Sequence, residues 1–268
     1  VSGGYLWIAC GADDSIQRFD GTNFTEPAVQ KASRTIEFDN RILIADDTGS
    51  DIDILESTDV GVTYTALMSL PTSANAKGLV SWLNNEGDPV PALVDTDGWL
   101  YRLDIYTRKY YRFPFIIANP VSNAGYGQPI VFGPDLLMPG QALQISSVSP
   151  QGIVTNIGPD QDDGLPSLYQ GDVTGLWSSG RILYATTMGD TTAYGLVLYS
   201  KGGIHWACMS IRGATEEASV PFFENAKLYW FDADGTNLRG RSVIWSELPR
   251  DRTTKGVTPT FATSSFWR

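Results

Sequence analysis

The chain has 268 residues, 42% of them hydrophobic and 18% charged, a globular composition on the scale of one large domain. Lys and Arg number 19 against 30 Asp and Glu, which gives a net charge of −11 and a pI near 4.5. That balance argues against a nucleic-acid or anionic-membrane partner, since both need a basic footprint and no basic run stands out. The longest uncharged apolar stretch, Phe113 to Val121, falls far short of the ~20 residues of a spanning helix. Residue 1 is Val and no signal peptide is read, so the sequence is expected to be a processed product, an excised domain or part of something longer.

In chain order, an apolar strand is predicted at Tyr5 to Cys10. Similar strands recur at Arg41 to Ala45, Pro91 to Val94, Arg181 to Ala185 and Lys227 to Phe231, with a weaker one from Gln141 to Val148. Their starts lie 36, 50, 50, 40 and 46 residues apart. Each is followed by a Gly/Asp/Asn turn and further short strands, and helical periodicity is nearly absent. A repeat of ~40 to 50 residues carrying four short strands is the pattern of a β-propeller. The expected fold is therefore all-β, a six-bladed β-propeller in a single domain over 1–268, with five or seven blades as the neighbouring counts. The blades are drawn at about 1–30, 31–70, 71–118, 119–165, 166–214 and 215–250.

The first segment opens directly on its second strand, because Val1 to Gly4 is too short for another. The tail at 258–267 reads as an unpaired strand. It either closes the ring as the missing inner strand of the first blade or forms the outer strand of the last, and closure is the favoured reading because an open edge exposes unpaired backbone groups.

Two cysteines, Cys10 and Cys208, and one histidine, His205, remove several chemistries. A zinc site needs three or four closely spaced ligands. A nucleophilic triad would have to recruit His205, which reads as a strand residue after a turn. Cys10 reads as a small core residue, with a disulfide to Cys208 as the alternative.

Ser57-Thr58-Asp59-Val60-Gly61-Val62-Thr63-Tyr64 resembles the Asp-box motif, Ser-x-Asp-x-Gly-x-Thr-Trp, with Tyr in the last place. Read physically, Asp59 folds back onto turn N–H groups, Gly61 permits a positive φ, and Tyr64 packs as the chain re-enters the sheet. The structural residues are thus Ser57, Asp59, Gly61, Thr63 and Tyr64. A shorter echo without the Asp spans Ser200 to Trp206. The resemblance implies a hairpin between the third and fourth strands of a blade and specifies no activity, since sialidases, other glycosidases, sorting receptors and binding propellers share it.

Tyr111-Arg112-Phe113-Pro114 superficially resembles the Phe/Tyr-Arg-Ile-Pro motif of sialidases, but Phe replaces Ile and it follows the Asp box. The plain reading is a Tyr/Arg-rich outer strand and a turn. No pair among the acidic residues is marked as catalytic, and the eight glutamates share no flanking motif. No catalytic residue is assigned.

Aspartates do cluster after the second strands: Asp13-Asp14, Asp46-Asp47 with Asp51, Asp95 with Asp97, Asp190, and Asp232 with Asp234. Two clusters read Asp-x-Asp-Gly. Asp95, Asp97, Asp232 and Asp234 are therefore candidate calcium ligands, although Asp-Gly is also the commonest tight hairpin signal. No cofactor is required. Eight tryptophans are expected mostly to wedge between blades.

The phrases Ile16 to Thr25 and Glu56 to Thr65 look like degenerate propellers of bacteriophage virion and tail-associated proteins. That resemblance implies a non-catalytic structural or interaction module, virion-borne or extracellular, whose partners are protein subunits or a surface glycan. A secreted Asp-box glycan hydrolase and an adhesion or sorting ectodomain are the alternatives.

Overall fold

The computed structural model describes residues 4–117, 119–121, 126–161, 169–188, 194–203, 205–214, 217–218, 222–224, 227–233 and 238–244. The chain divides into two compact units. One takes in Val1–Gly125, Gly133–Leu137 and Val148–Val154, and the other Tyr126–Phe132, Met138–Ser147 and Thr155–Arg268.

In the first unit, β1 (Leu6–Ile8), β3 (Gln17–Phe19) and β4 (Phe24–Thr25) form a three-stranded sheet, while β2 (Gly11–Ser15) leaves it to pair with β5 (Lys31–Ala32). Two four-stranded antiparallel meanders follow. The first is β6 (Arg34–Phe38), β7 (Arg41–Asp47), β8 (Ile52–Ser57) and β9 (Thr65–Leu70). The second is β10 (Ala76–Leu83), β11 (Pro89–Asp95), β12 (Trp99–Asp104) and β13 (Lys109–Ile116). A third meander has residues in both units: β14 (Ile130–Phe132), β15 (Asp135–Pro139), β16 (Ile145–Val148) and β17 (Val154–Asn156).

The second unit continues with β18 (Val173–Ser179), β19 (Ile182–Thr187), β20 (Tyr194–Lys201) and β21 (Trp206–Ala214). In the last sheet β22 (Glu217–Ala218) and β23 (Phe222–Glu224) both pair with β24 (Lys227–Ala233), which pairs on its other side with β25 (Leu238–Ile244). Among the described residues no helix is long and apolar enough to cross a membrane.

This is an all-β β-propeller, with five four-stranded blades among the described residues. Six were expected, and the six segments drawn from the sequence do each hold a sheet. Among the described residues the first falls short of four strands because β2 swings out of it to pair with β5. The tail at 258–267, whose pairing was to close the ring, lies outside the described residues.

The second strands explain why the repeat is visible. They start at 41, 89, 135, 182 and 227, a spacing of 45 to 48 residues. A second strand has sheet on both sides and is covered on both faces, so it reads as an apolar run and does not alternate. In β7 the run Ile42 to Ala45 is buried throughout, and in β11 so is Pro91 to Asp95. The weak candidate Gln141 to Val148 corresponds to a third strand, β16. The true second strand is β15, whose start at Asp135 restores the even spacing.

The core of the first unit gathers Leu43, Ile52, Ile54, Leu70, Leu79, Leu93, Tyr101 and Leu103. That of the second joins Tyr184, Val197 and Met209 of one blade to Leu228 and Trp230 of the next. Trp82 and Trp230 are buried as expected, whereas Trp177 is exposed and Trp245 and Trp267 lie outside the described residues. Polar ties join neighbouring blades as well. Asp47 Oδ1 accepts from the Ala76 N–H at 2.9 Å, and Arg34 Nε donates to the Lys77 carbonyl at 2.8 Å.

Candidate interaction site

The Asp-box resemblance marks the hairpin between β8 and β9. Asp59 Oδ1 accepts from the N–H groups of Val62 (3.1 Å) and Thr63 (2.9 Å) and from Ser57 Oγ (2.8 Å). Its Oδ2 accepts from Thr63 Oγ1 at 2.6 Å. Ser57 Oγ in turn accepts from the Gly61 N–H at 2.8 Å. The donors of Thr63, backbone and hydroxyl, hold the Asp59 carboxyl down at about 2. Gly61 has φ +77°, and a Cβ there would stand 2.2 Å from the Trp7 ring. Tyr64 packs beside Trp7 against Ile42 and Ile44, and burial pushes its hydroxyl up to about 12. The hairpin thus seats the first sheet against the second.

Two further hairpins in the same place on their blades use the same device, one at Asp104 with no motif to mark it and one at Asp20 inside the phrase Ile16 to Thr25. Asp104 takes the N–H groups of Tyr106 and Thr107 on Oδ1 and Thr107 Oγ1 on Oδ2. Asp20 takes the N–H groups of Thr22 and Asn23, both at 2.7 Å. The signal available was an Asp followed within two to four residues by Thr. The echo at Ser200 to Trp206 lacks an Asp, and among the described residues the buried Ser200 Oγ has no partner. Trp206 Nε1 donates to the Ile157 carbonyl at 2.7 Å.

The aspartates after second strands behave differently. Asp95 is fully buried, and its Oδ1 accepts from the N–H groups of Asp97 (3.0 Å) and Trp99 (2.9 Å). Its Oδ2 accepts from Tyr101 Oη (3.2 Å) and Thr72 Oγ1 (3.3 Å). Burial nonetheless raises its pKa. Asp97 is exposed. Asp46 faces Asp53 across the β7–β8 pair, and desolvation, then Asp47 and Asp53, raise its pKa. Among the described residues no group of three or more His, Cys, Asp or Glu side chains comes together as an ion cage. The side chains of Asp232 and Asp234, the other two candidate calcium ligands, lie outside the described residues, as does Asp190. Cys10 and Cys208 are not joined in a disulfide, and His205 is exposed in the turn before β21.

The feature the sequence reading left undeveloped is the outer edge of the 76–116 blade. Tyr106, Tyr110 and Tyr111 are 69%, 39% and 55% exposed, and Lys109 and Arg112 are exposed beside them. Tyr111-Arg112-Phe113-Pro114 lies along this edge strand, with the Arg112 guanidinium 4.4 Å from the Trp99 ring centre. An open groove of about 540 Å³ runs along one side, lined by Phe38, Pro89, Leu103, Tyr106 and Tyr110 among others. A second, of about 550 Å³, lies on the other side between Tyr111, Phe113, Phe115 and Gly152.

Arg102 forms the floor of both grooves, 4.4 Å from the Trp82 ring centre and 4.9 Å from that of Phe113. It donates to Asn85 Oδ1 (3.0 Å) and to the carbonyls of Leu83 (2.9 Å) and Pro150. Burial lowers its pKa. Tyr106 is held by its hydroxyl, which donates to Asp39 Oδ2 at 2.7 Å, and by Arg41 stacked at 5.7 Å. Tyr110 meets Tyr101 edge-on at 6.0 Å and Tyr111 meets Phe113 edge-on at 5.1 Å, so each of the three rings has a fixed neighbour before any partner arrives.

No protein-family model matches the chain, and no curated protein does. Solved structures resemble it in fold. The extracellular domain of a one-component system from Bacteroides thetaiotaomicron superposes with a TM-score of 0.61 at 14% identity, covering 90% of this chain and 32% of that one. A Bacteroides thetaiotaomicron protein of unknown function gives 0.57 at 10% identity, covering 89% and 66%. YCF48 bound to a D1 peptide gives 0.59 at 11% identity, covering 91% and 75%. The chain spans less than two thirds of the length of the first two.

Proposed function

We propose that this protein is a non-catalytic β-propeller that binds a partner protein, as a component of a virion or another extracellular assembly. The observation that carries the reading is the cluster of exposed, pre-positioned tyrosines at Tyr106, Tyr110 and Tyr111 above an open groove. Rigid aromatic side chains offer large contact area at low entropic cost, and Tyr and Arg dominate the energetics of protein interfaces. The carboxylates of Asp20, Asp59, Asp95 and Asp104 each hold their own turn, which leaves them poorly placed as acids or bases. Among the fold neighbours, one is an extracellular domain and another is in complex with a peptide, which supports the binding reading. The virion setting is supported by the resemblance of 16–25 and 56–65 to phage propellers. Calcium is not part of the reading at Asp95, where both oxygens already accept from four donors.

A chromogenic glycoside panel run beside a glycan array tests this. No turnover and no glycan bound is the expected result. Turnover of any glycoside overturns the non-catalytic reading, and saturable glycan binding lost in Tyr110→Ala/Tyr111→Ala overturns the protein partner. Mass spectrometry of purified particles checks the virion setting.

A further inference from the structure

We infer that the edge of β13 from Lys109 to Arg112 docks an extended acidic segment of the partner protein, an inference that rests on the binding reading above. The first observation is charge. No Asp or Glu stands between Asp104 and Asp135, in a chain whose net charge is −11. Within that gap Arg108, Lys109 and Arg112 fall in one hairpin. Of the neighbouring acids, Asp104 caps its own turn, Glu56 pairs with Arg41 at 2.5 Å and Asp39 accepts from the Tyr106 hydroxyl, while Asp88 lines the far part of the groove beside Pro89. The Arg108 side chain is 63% exposed, 3.9 Å from Glu56. An acidic segment is repelled by most of this surface and attracted here, which is how charge selects a docking site.

The second observation is the backbone. β13 ends its sheet, pairing only with β12 among the described residues. An unpaired edge accepts an added strand. The far half is closed to pairing, because the register slips between Arg112 and Ile116 opposite Tyr101 and Trp99, and Pro114, which has no N–H, sits in that bulge. The straight part is therefore the tyrosine and lysine/arginine half. The third observation is the groove beside it, whose apolar wall of Phe38, Pro91 and Leu103 can take alternate aliphatic side chains of the added strand.

The test pans a random ten-residue display library on the whole protein. Enriched clones are then measured as fluorescent peptides against the wild type and two variants, Arg108→Glu/Lys109→Glu/Arg112→Glu and Tyr110→Ala/Tyr111→Ala, both checked for wild-type melting. The inference predicts Asp/Glu-rich winners whose affinity falls at least ~10-fold in each variant and ~10-fold between low and moderate salt, since exposed charge pairs are screened. It is overturned by neutral or basic winners, by no enrichment, or by acidic winners indifferent to both variants. The last of these leaves a binding module that docks elsewhere. Oligo-dT binding tighter than any acidic winner also overturns it, because basic edges with stacked rings suit single strands too.

Discussion

Asp59 and Asp95 hold hairpins in the same way and answer to opposite electrostatics. Each uses Oδ1 to accept two backbone N–H groups of its own turn and Oδ2 to accept a hydroxyl. Asp59 sits in a third-to-fourth strand hairpin, exposed, and its pKa is lowered to about 2. Asp95 sits in a second-to-third strand hairpin, fully buried, and its pKa is raised. Asp20 and Asp104 follow the first pattern, and Asp46, partly buried, follows the second in direction. Counting donors does not therefore give the charge behaviour of a turn carboxylate. Solvent does, because desolvation penalises the anion whatever accepts it.

The largest test concerns the glycines beside the two carboxylates. A Cβ at Gly98 would stand 2.5 Å from the Ile117 carbonyl oxygen, with φ +87°. At Gly61 the obstacle is the Trp7 ring at 2.2 Å, with φ +77°. Overpacking and positive φ together put Gly98→Ala at about 3 kcal/mol of destabilisation. Gly61→Ala should cost less, because an indole can turn aside while the Ile117 backbone, tied to the Gly98 carbonyl through its own N–H, cannot. Chemical denaturation of both variants checks the order, and equal costs would mean that the two hairpins are equally rigid.

Next in size is removal of the carboxylates. Asp95→Ala leaves the Asp97 and Trp99 N–H groups, the Tyr101 hydroxyl and the partly buried Thr72 hydroxyl without their acceptor, a loss of about 2 kcal/mol. Asp59→Ala exposes its donors to water, which replaces the acceptor, so its melting temperature should fall by only a few degrees. A larger drop for Asp59 than for Asp95 would reverse the comparison.

How much of this could be read from the residues follows from the same distinction. The blades were legible because a second strand covered on both faces, such as Ile42 to Ala45, is an apolar run of fixed recurrence. The Asp-box turn was legible because its donors and acceptor are local in sequence. Burial is not local. Asp95-Thr96-Asp97-Gly98 has the letters of an ion loop, and only the fold reveals that Asp95 lies under Thr72 and Tyr101 while Asp97 faces solvent. The basic edge was hidden for a related reason. Its three cations are diluted in the overall charge of −11, and the length of the acid-free stretch from Asp104 to Asp135 shows only when gaps are measured and residues are not merely counted. Asp104 escaped because its turn carries too little of the motif to resemble it, and Asp20 was visible only as part of the phrase Ile16 to Thr25, without its role in the turn.

The finest discrimination is by pH, using substitutions that keep shape. The folded-state pKa of Asp59 is depressed to about 2, below the ~3.9 of an unfolded Asp. Its contribution is therefore present above that unfolded value and lost as pH falls through about 2. Asp59→Asn should melt below the wild type at pH 6 and converge on it near pH 2. For Asp95 the folded-state pKa is raised, so its contribution is fully present below the unfolded value and is lost as pH rises through the folded one. Relative to wild type, Asp95→Asn should thus fare worst in acid and gain ground as pH rises, the opposite slope. Paired melts of the two variants and wild type from pH 2 to 7, at fixed ionic strength, give both slopes from one data set. Parallel slopes would mean that Asp95 is solvated in solution, and the contrast between the two kinds of hairpin would not stand.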